Sequence, residues 1–159
     1  MGSGLRVRVG VWCLLVAAPT GAQIDTFTWV LAGNTYGSGW QAPGSLHLVG
    51  PDKAVGNCDP PVTWFETIMP VGGTLCVLVE FQNLDSWVYK GHAEFDAPAW
   101  VVDGAFERLP PTGFPGSDPA YGWPSGSYAF EFEVEAGQHV GLGVWAADCD
   151  FGPGVADFH

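Results

Sequence analysis

Apolar and polar residues alternate with a period of two through much of this chain, and no stretch sustains the three-to-four spacing of a helix. The clearest run is Tyr128-Ala-Phe-Glu-Phe-Glu-Val-Glu135. Tyr128, Phe130, Phe132 and Val134 share one face and predict a core contact, while Glu131, Glu133 and Glu135 share the other and predict solvent. The same reasoning places strands at residues 26–32, 45–49, 63–69, 74–83, 92–95, 99–102, 105–109, 127–134 and 139–146, with a last, short one beginning at Val155. Trp29, Trp64 and Trp145 fall where such strands face a core. Cys76, in the middle of Thr-Leu-Cys-Val-Leu-Val, is expected to be buried as a small hydrophobe.

Glycine and proline punctuate these runs. Asp103-Gly104 between β-formers predicts a two-residue hairpin, and Gly137 supplies the positive φ of a second turn spanning Glu135 to Gln138. Residues 33–44, with Tyr36 and Trp40, and residues 112–126, with Phe114, Tyr121 and Trp123, read as long loops, where binding functions concentrate. About eight to ten short strands without helix predict an all-β fold: a single β-sandwich of jelly-roll, CUB-like or immunoglobulin-like kind.

The first residues follow a different pattern. Arg6 and Arg8 precede an apolar run from Val9 to Ala18, and Pro19-Thr-Gly-Ala22 supplies a break and small residues. The run is shorter than the roughly 20 apolar residues that span a bilayer. Residues 1–22 therefore read as a signal peptide cleaved near Ala22–Gln23, which predicts a secreted or cell-surface β-sandwich domain over 23–159. The brief last strand suggests a domain truncated at its C-terminus.

Export changes the charge and the cysteine count. Loss of Arg6 and Arg8 moves the formal charge from −12 to −14, with Lys53, Lys90 and Arg108 against seventeen acids. Such a surface disfavours nucleic acid and anionic lipid, and the mature chain has no membrane-inserting segment. Loss of Cys13 leaves Cys58, Cys76 and Cys149, which permit three pairings. Cys58–Cys149 is preferred, because both lie in turn-like, Asp-flanked stretches.

Several constellations could carry a ligand. Trp40, Trp87, Tyr89, Tyr121 and Trp123 fall in loops or at strand ends, where aromatic faces stack on sugar rings or anchor protein contacts. Ordinary loop packing is the plainer alternative. His92-Ala-Glu94-Phe-Asp96 puts three polar side chains on one strand face, and Asp148-Cys-Asp150 is an acidic turn; Glu94, Asp96, Asp148 and Asp150 could supply oxygen ligands to calcium. A solvated strand face and self-capping turn aspartates account for the same residues without a metal. No Gly-x-Ser-x-Gly elbow, phosphate loop or His-Glu-x-x-His is present, so the sequence predicts no enzyme.

Residues 29–50, Gly56-Asn-Cys-Asp-Pro-Pro-Val-Thr-Trp-Phe-Glu66, Phe95-Asp-Ala-Pro-Ala-Trp-Val-Val-Asp-Gly104 and Gly137-Gln-His-Val-Gly-Leu-Gly-Val144 with Asp148-Cys-Asp-Phe-Gly-Pro-Gly154 resemble secreted bacterial β-sandwich domains without an assigned activity. Phe95-Asp96, Val102-Asp103-Gly104 and Ala147-Asp148 are similar to the CUB pattern. That likeness implies a calcium site formed by Glu80 or Glu94 with Asp96 and Asp148, although the cysteine spacing and the long second loop depart from it. The expected function is a non-catalytic extracellular interaction or structural module, with an extracellular protein or glycan as partner. The alternative is a carbohydrate-binding module using the loop aromatics, with calcium as a possible cofactor.

Overall fold

The computed structural model describes residues 24–52, 59–84, 96–109, 125–146 and 152–159. Within them a 3-10 turn at Ile24–Thr26 precedes ten strands: β1 (Val30–Gly33), β2 (Ser38–Ala42), β3 (Ser45–Val49), β4 (Val62–Ile68), β5 (Gly73–Asn83), β6 (Ala97–Val102), β7 (Ala105–Arg108), β8 (Gly126–Val134), β9 (His139–Trp145) and β10 (Gly154–Phe158). They form two five-stranded sheets, β1-β4-β9-β6-β7 and β2-β3-β10-β5-β8, and every pairing is antiparallel. The sheets pack face to face as a sandwich.

The pairings are nested. β3 lies beside β10, β4 beside β9, β5 beside β8 and β6 beside β7, so the chain behaves as one long hairpin whose arms are shared between two sheets. At its closed end the Asp103-Gly104 turn is as expected, with φ of 49° and 81° at the two positions. Positive φ at both central residues matches the twist of the flanking strands. Gly137 likewise adopts a φ of 82° between β8 and β9.

Alternation builds the interior. Leu46 and Leu48 on β3, Ala156 and Phe158 on β10, Val77, Val79 and Phe81 on β5, and Phe130 and Phe132 on β8 are all at most 2% exposed. They meet Phe65, Trp100, Val140, Leu142 and Val144 from the other sheet in one apolar cluster. Trp100 and Phe132 stack across the sandwich with ring centroids 3.9 Å apart and planes 5° apart.

Four expectations need correction. Residues 33–44 are not one long loop, because β2 lies within them. Asn34 makes the crossing from β1 to β2 tight: its Oδ1 accepts from Tyr36 N, and its Nδ2 donates to Pro60 O. The first strand starts at Val30 rather than residue 26, since Ile24 O accepts from Phe27 N and Trp29 Nε1 and turns the chain back. Cys76 is exposed, not buried, because β5 buries only Leu75, Val77, Val79 and Phe81 and turns Cys76 to the outside. Trp64 and Trp145 are half-buried on the outer face of their sheet, whereas Trp29 is buried as expected. The last strand is short and starts within one residue of the expected Val155, and β10 lies inside its sheet, paired on both sides. The expected strand at 92–95 lies outside the described residues.

Candidate functional site

Burying one side of β2, β3, β10 and β5 fixes what the other side presents. The register aligns Trp40 with His47, His47 with Asp157, Asp157 with Glu80, and Glu80 with Ser127. These five residues form a single row across the outer face of the second sheet. Rows that flank it carry Gln82 on one side and His159 and Leu78 on the other.

Within the row, Trp40 and His47 stack with ring centroids 3.9 Å apart and planes 25° apart. His47 Nδ1 lies 2.7 Å from Asp157 Oδ1. A carboxylate only accepts, so Nδ1 carries a proton and donates it to Asp157 Oδ1. The imidazole is thus held from both sides, and it holds the indole in turn. Trp40 is 56% exposed and β2 is an edge strand, so the indole face turned away from His47 is open to solvent.

This row has the chemistry of a binding surface. An open aromatic face can stack on a planar or ring-shaped partner, and the neighbouring carboxylates can accept hydrogen bonds from hydroxyl or ammonium groups. Among the described residues Asp157 is the hydrogen-bond partner of the His47 side chain.

The outer face of the other sheet is built differently. Trp64 lies across glycines: a Cβ added at Gly141 would come 2.7 Å from its Cδ1, and one added at Gly143 would come 2.9 Å from its Cβ. Its Nε1 donates to Glu66 Oε2 at 3.0 Å. Arg108 sits 4.3 Å over the Trp145 ring. Even outward positions such as Val62, Ala99 and Val101 are at most 2% exposed. At one end of this face a cleft of about 450 Å³ opens between Phe27, Val30, Glu66, Ile68, Pro70 and His139. Beside it stands an apolar edge, with Val30 57% and Ile68 56% exposed.

Of the residues singled out from the sequence, Trp87, Tyr89, Tyr121, Trp123, Glu94, Asp148, Asp150, Cys58 and Cys149 lie outside the described residues. Trp40 is a strand residue, not a loop residue, because Gly39 on the same strand faces inward onto Leu48 and Phe65 and fixes the alternation. Asp96 is 2% exposed and packs against Gly154 at the start of β10, so it is no part of a solvated strand face. Among the described residues no three His, Cys, Asp or Glu side chains are grouped as a metal centre. Sequence reasoning missed His47, Asp157 and Glu80 as partners of Trp40. His47 and Asp157 are 110 residues apart, and only the strand register brings them together.

No family model, no curated protein and no solved structure matches this chain.

Proposed function

We propose that this chain is exported after removal of residues 1–22 and works as a non-catalytic extracellular binding module. Its contact surface is the outer face of the second sheet, and its ligand there is a carbohydrate. The observation that carries the reading is the half-open Trp40–His47 stack, braced by Asp157. An indole held upright by a braced imidazole presents a flat apolar face in a fixed orientation, which suits stacking on a sugar ring. The sandwich itself is a jelly roll, a reading supported by the nested pairing of β3 with β10, β4 with β9, β5 with β8 and β6 with β7. Export rests on the charged, apolar and small-residue order of the leader and agrees with the acidic mature surface.

A second reading has its own observation. Val30, Leu31, Ile68 and Val71 are 57%, 42%, 56% and 67% exposed, around an edge strand without charges. Edges of this kind accept a neighbouring strand or domain. The module would then be structural, docking another extracellular protein domain.

Thermal melting of the secreted chain separates these readings, since a ligand bound only by the native state raises the melting temperature. A glycan that shifts the melt of the wild type but not of Trp40→Ala supports the carbohydrate reading. A panel without any shift leaves the structural module. Arms with calcium and with chelator test the ligand set Glu94, Asp96, Asp148 and Asp150, and identical curves would remove calcium. N-terminal sequencing tests export, with Gln23 as the expected first residue.

A further inference from the structure

We infer that the Trp40 face selects a cationic glycan, one built of amino sugars, over neutral and acidic glycans. The inference rests on the carbohydrate reading above and adds the charge of the ligand. Trp40, His47, Asp157 and Glu80 occupy four adjacent strands in one register. At about 4.8 Å per strand, the row spans roughly 14 Å from indole to Glu80 carboxylate. The open indole face points away from the carboxylates, so a glycan of several units that runs on from the indole over His47 and along the row is what brings later units to Asp157 and Glu80.

The outward positions of this sheet decide the sign of the charge. Among the described residues they carry Asp157, Glu80, Glu131 and Glu133, and no Lys or Arg. The single described Lys or Arg, Arg108, belongs to the opposite sheet, over Trp145. Among the described residues this face offers no Lys or Arg to pair a uronate or a sulfate, its histidines His47 and His159 stand among carboxylates, and the net charge of −12 repels both anions. An amino-sugar glycan gains twice, from a ring stacked on the indole face and from charge-assisted hydrogen bonds of ammonium groups on later units to the carboxylates. A neutral sugar gains the stacking and hydroxyl hydrogen bonds to the carboxylates, without the attraction of opposite charges. A basic peptide offers the same ammonium groups but lacks the flat apolar ring face that matches the indole, and the comparison below includes it.

The test is calorimetric titration of the secreted chain with four probes of matched length: a glucosamine oligomer, its N-acetylated counterpart, a polyuronate oligomer and oligolysine. The expected result is binding of the glucosamine oligomer, with the N-acetylated oligomer weaker by about tenfold or more, which is about 1.4 kcal/mol. Glu80→Gln should narrow that gap and weaken the charged probe alone. Trp40→Ala, which leaves the net charge unchanged, should abolish binding, and Trp40→Phe should restore part of it. Melting curves of each variant check that it is folded. Equal or tighter binding of the acetylated or uronate oligomer, still dependent on Trp40, would overturn the charge selection and leave the carbohydrate reading standing. Oligolysine binding more tightly than glucosamine would overturn the inference in favour of a peptide ligand. Binding of the glucosamine oligomer that is indifferent to Trp40→Ala would mark bulk charge attraction and sink it too. No binding of any glycan would overturn the carbohydrate reading itself.

Discussion

Trp40 and Trp64 both project from the solvent side of a strand, one on each sheet, and their cross-strand neighbours set them apart. Trp64 faces Gly143 across β4 and β9 and reaches Gly141, so nothing lifts its ring from the sheet. It lies down, donates to Glu66 and becomes half-buried. Trp40 faces His47, whose ring is fixed by Asp157, so the indole stands against an imidazole and stays 56% exposed. The same residue type in the same kind of position is a covering side chain in one case and an open face in the other. The residue opposite decides which.

Substitution at Trp64 should break this comparison most visibly. Trp64→Ala removes the cover from Gly141 and Gly143 and leaves Glu66 Oε2 without its donor. The expected loss is about 2–4 kcal/mol, somewhat below that of a fully buried Trp because the ring is only half-buried. Urea unfolding measures it through a shift in midpoint at unchanged slope. A loss no larger than that of Trp40→Ala would erase the distinction between the two faces.

Gly141→Ala should come next. The new Cβ would meet Trp64 Cδ1 at 2.7 Å, Phe65 O at 3.0 Å and Val101 Cβ at 3.0 Å. A flexible ring can move, but a backbone oxygen in the strand ladder cannot, so overpacking should cost about 1–3 kcal/mol. In the Trp64→Ala background the ring clash disappears and the penalty should shrink. A double-mutant cycle reads that coupling directly, and full additivity would mean that the ring does not press on Gly141.

These two positions also show how far the sequence could be read. Alternation in 128–135 named its inward and outward residues correctly, because an antiparallel strand with one buried face writes itself as a period of two. It also located most strands, whose edges lie within four residues of those observed. Cys76 misled because Thr-Leu-Cys-Val-Leu-Val is apolar on both sides, so pattern alone left its facing open. β2 was missed because Ser38-Gly-Trp-Gln-Ala42 is short, polar and carries a glycine, features shared with turns. The partners of Trp40 were not legible at all. His47 and Asp157 sit in separate short strands, and contact between them depends on a register that no local signal specifies.

The two sides of β8 permit a smaller test. Tyr128 faces inward and burial pushes its hydroxyl above the ordinary value of 10.0. The unfolded chain then gives up that proton first. Stability from the neutral phenol is complete below about pH 10 and falls as pH rises through and beyond that value. Tyr128→Phe should flatten this alkaline decline, as followed by denaturant midpoints across the range. An unchanged slope would mean that the phenol is as accessible as the outward glutamates of the same strand.

The smallest expected effect on stability is that of Trp40→Ala, and it is the most informative. The indole buries little, its contact is one imidazole, and the His47–Asp157 pair lies at the surface, where such pairs contribute weakly. The loss should therefore stay under about 1 kcal/mol. A side chain that costs so little to remove is not retained by the fold, and the sequence offers smaller, more soluble residues for an edge strand. If the midpoint instead falls as far as for Trp64→Ala, then Trp40 is a structural brace and the second sheet presents no open aromatic face. If the midpoint holds while ligand binding is lost, stability and binding have been separated at one residue.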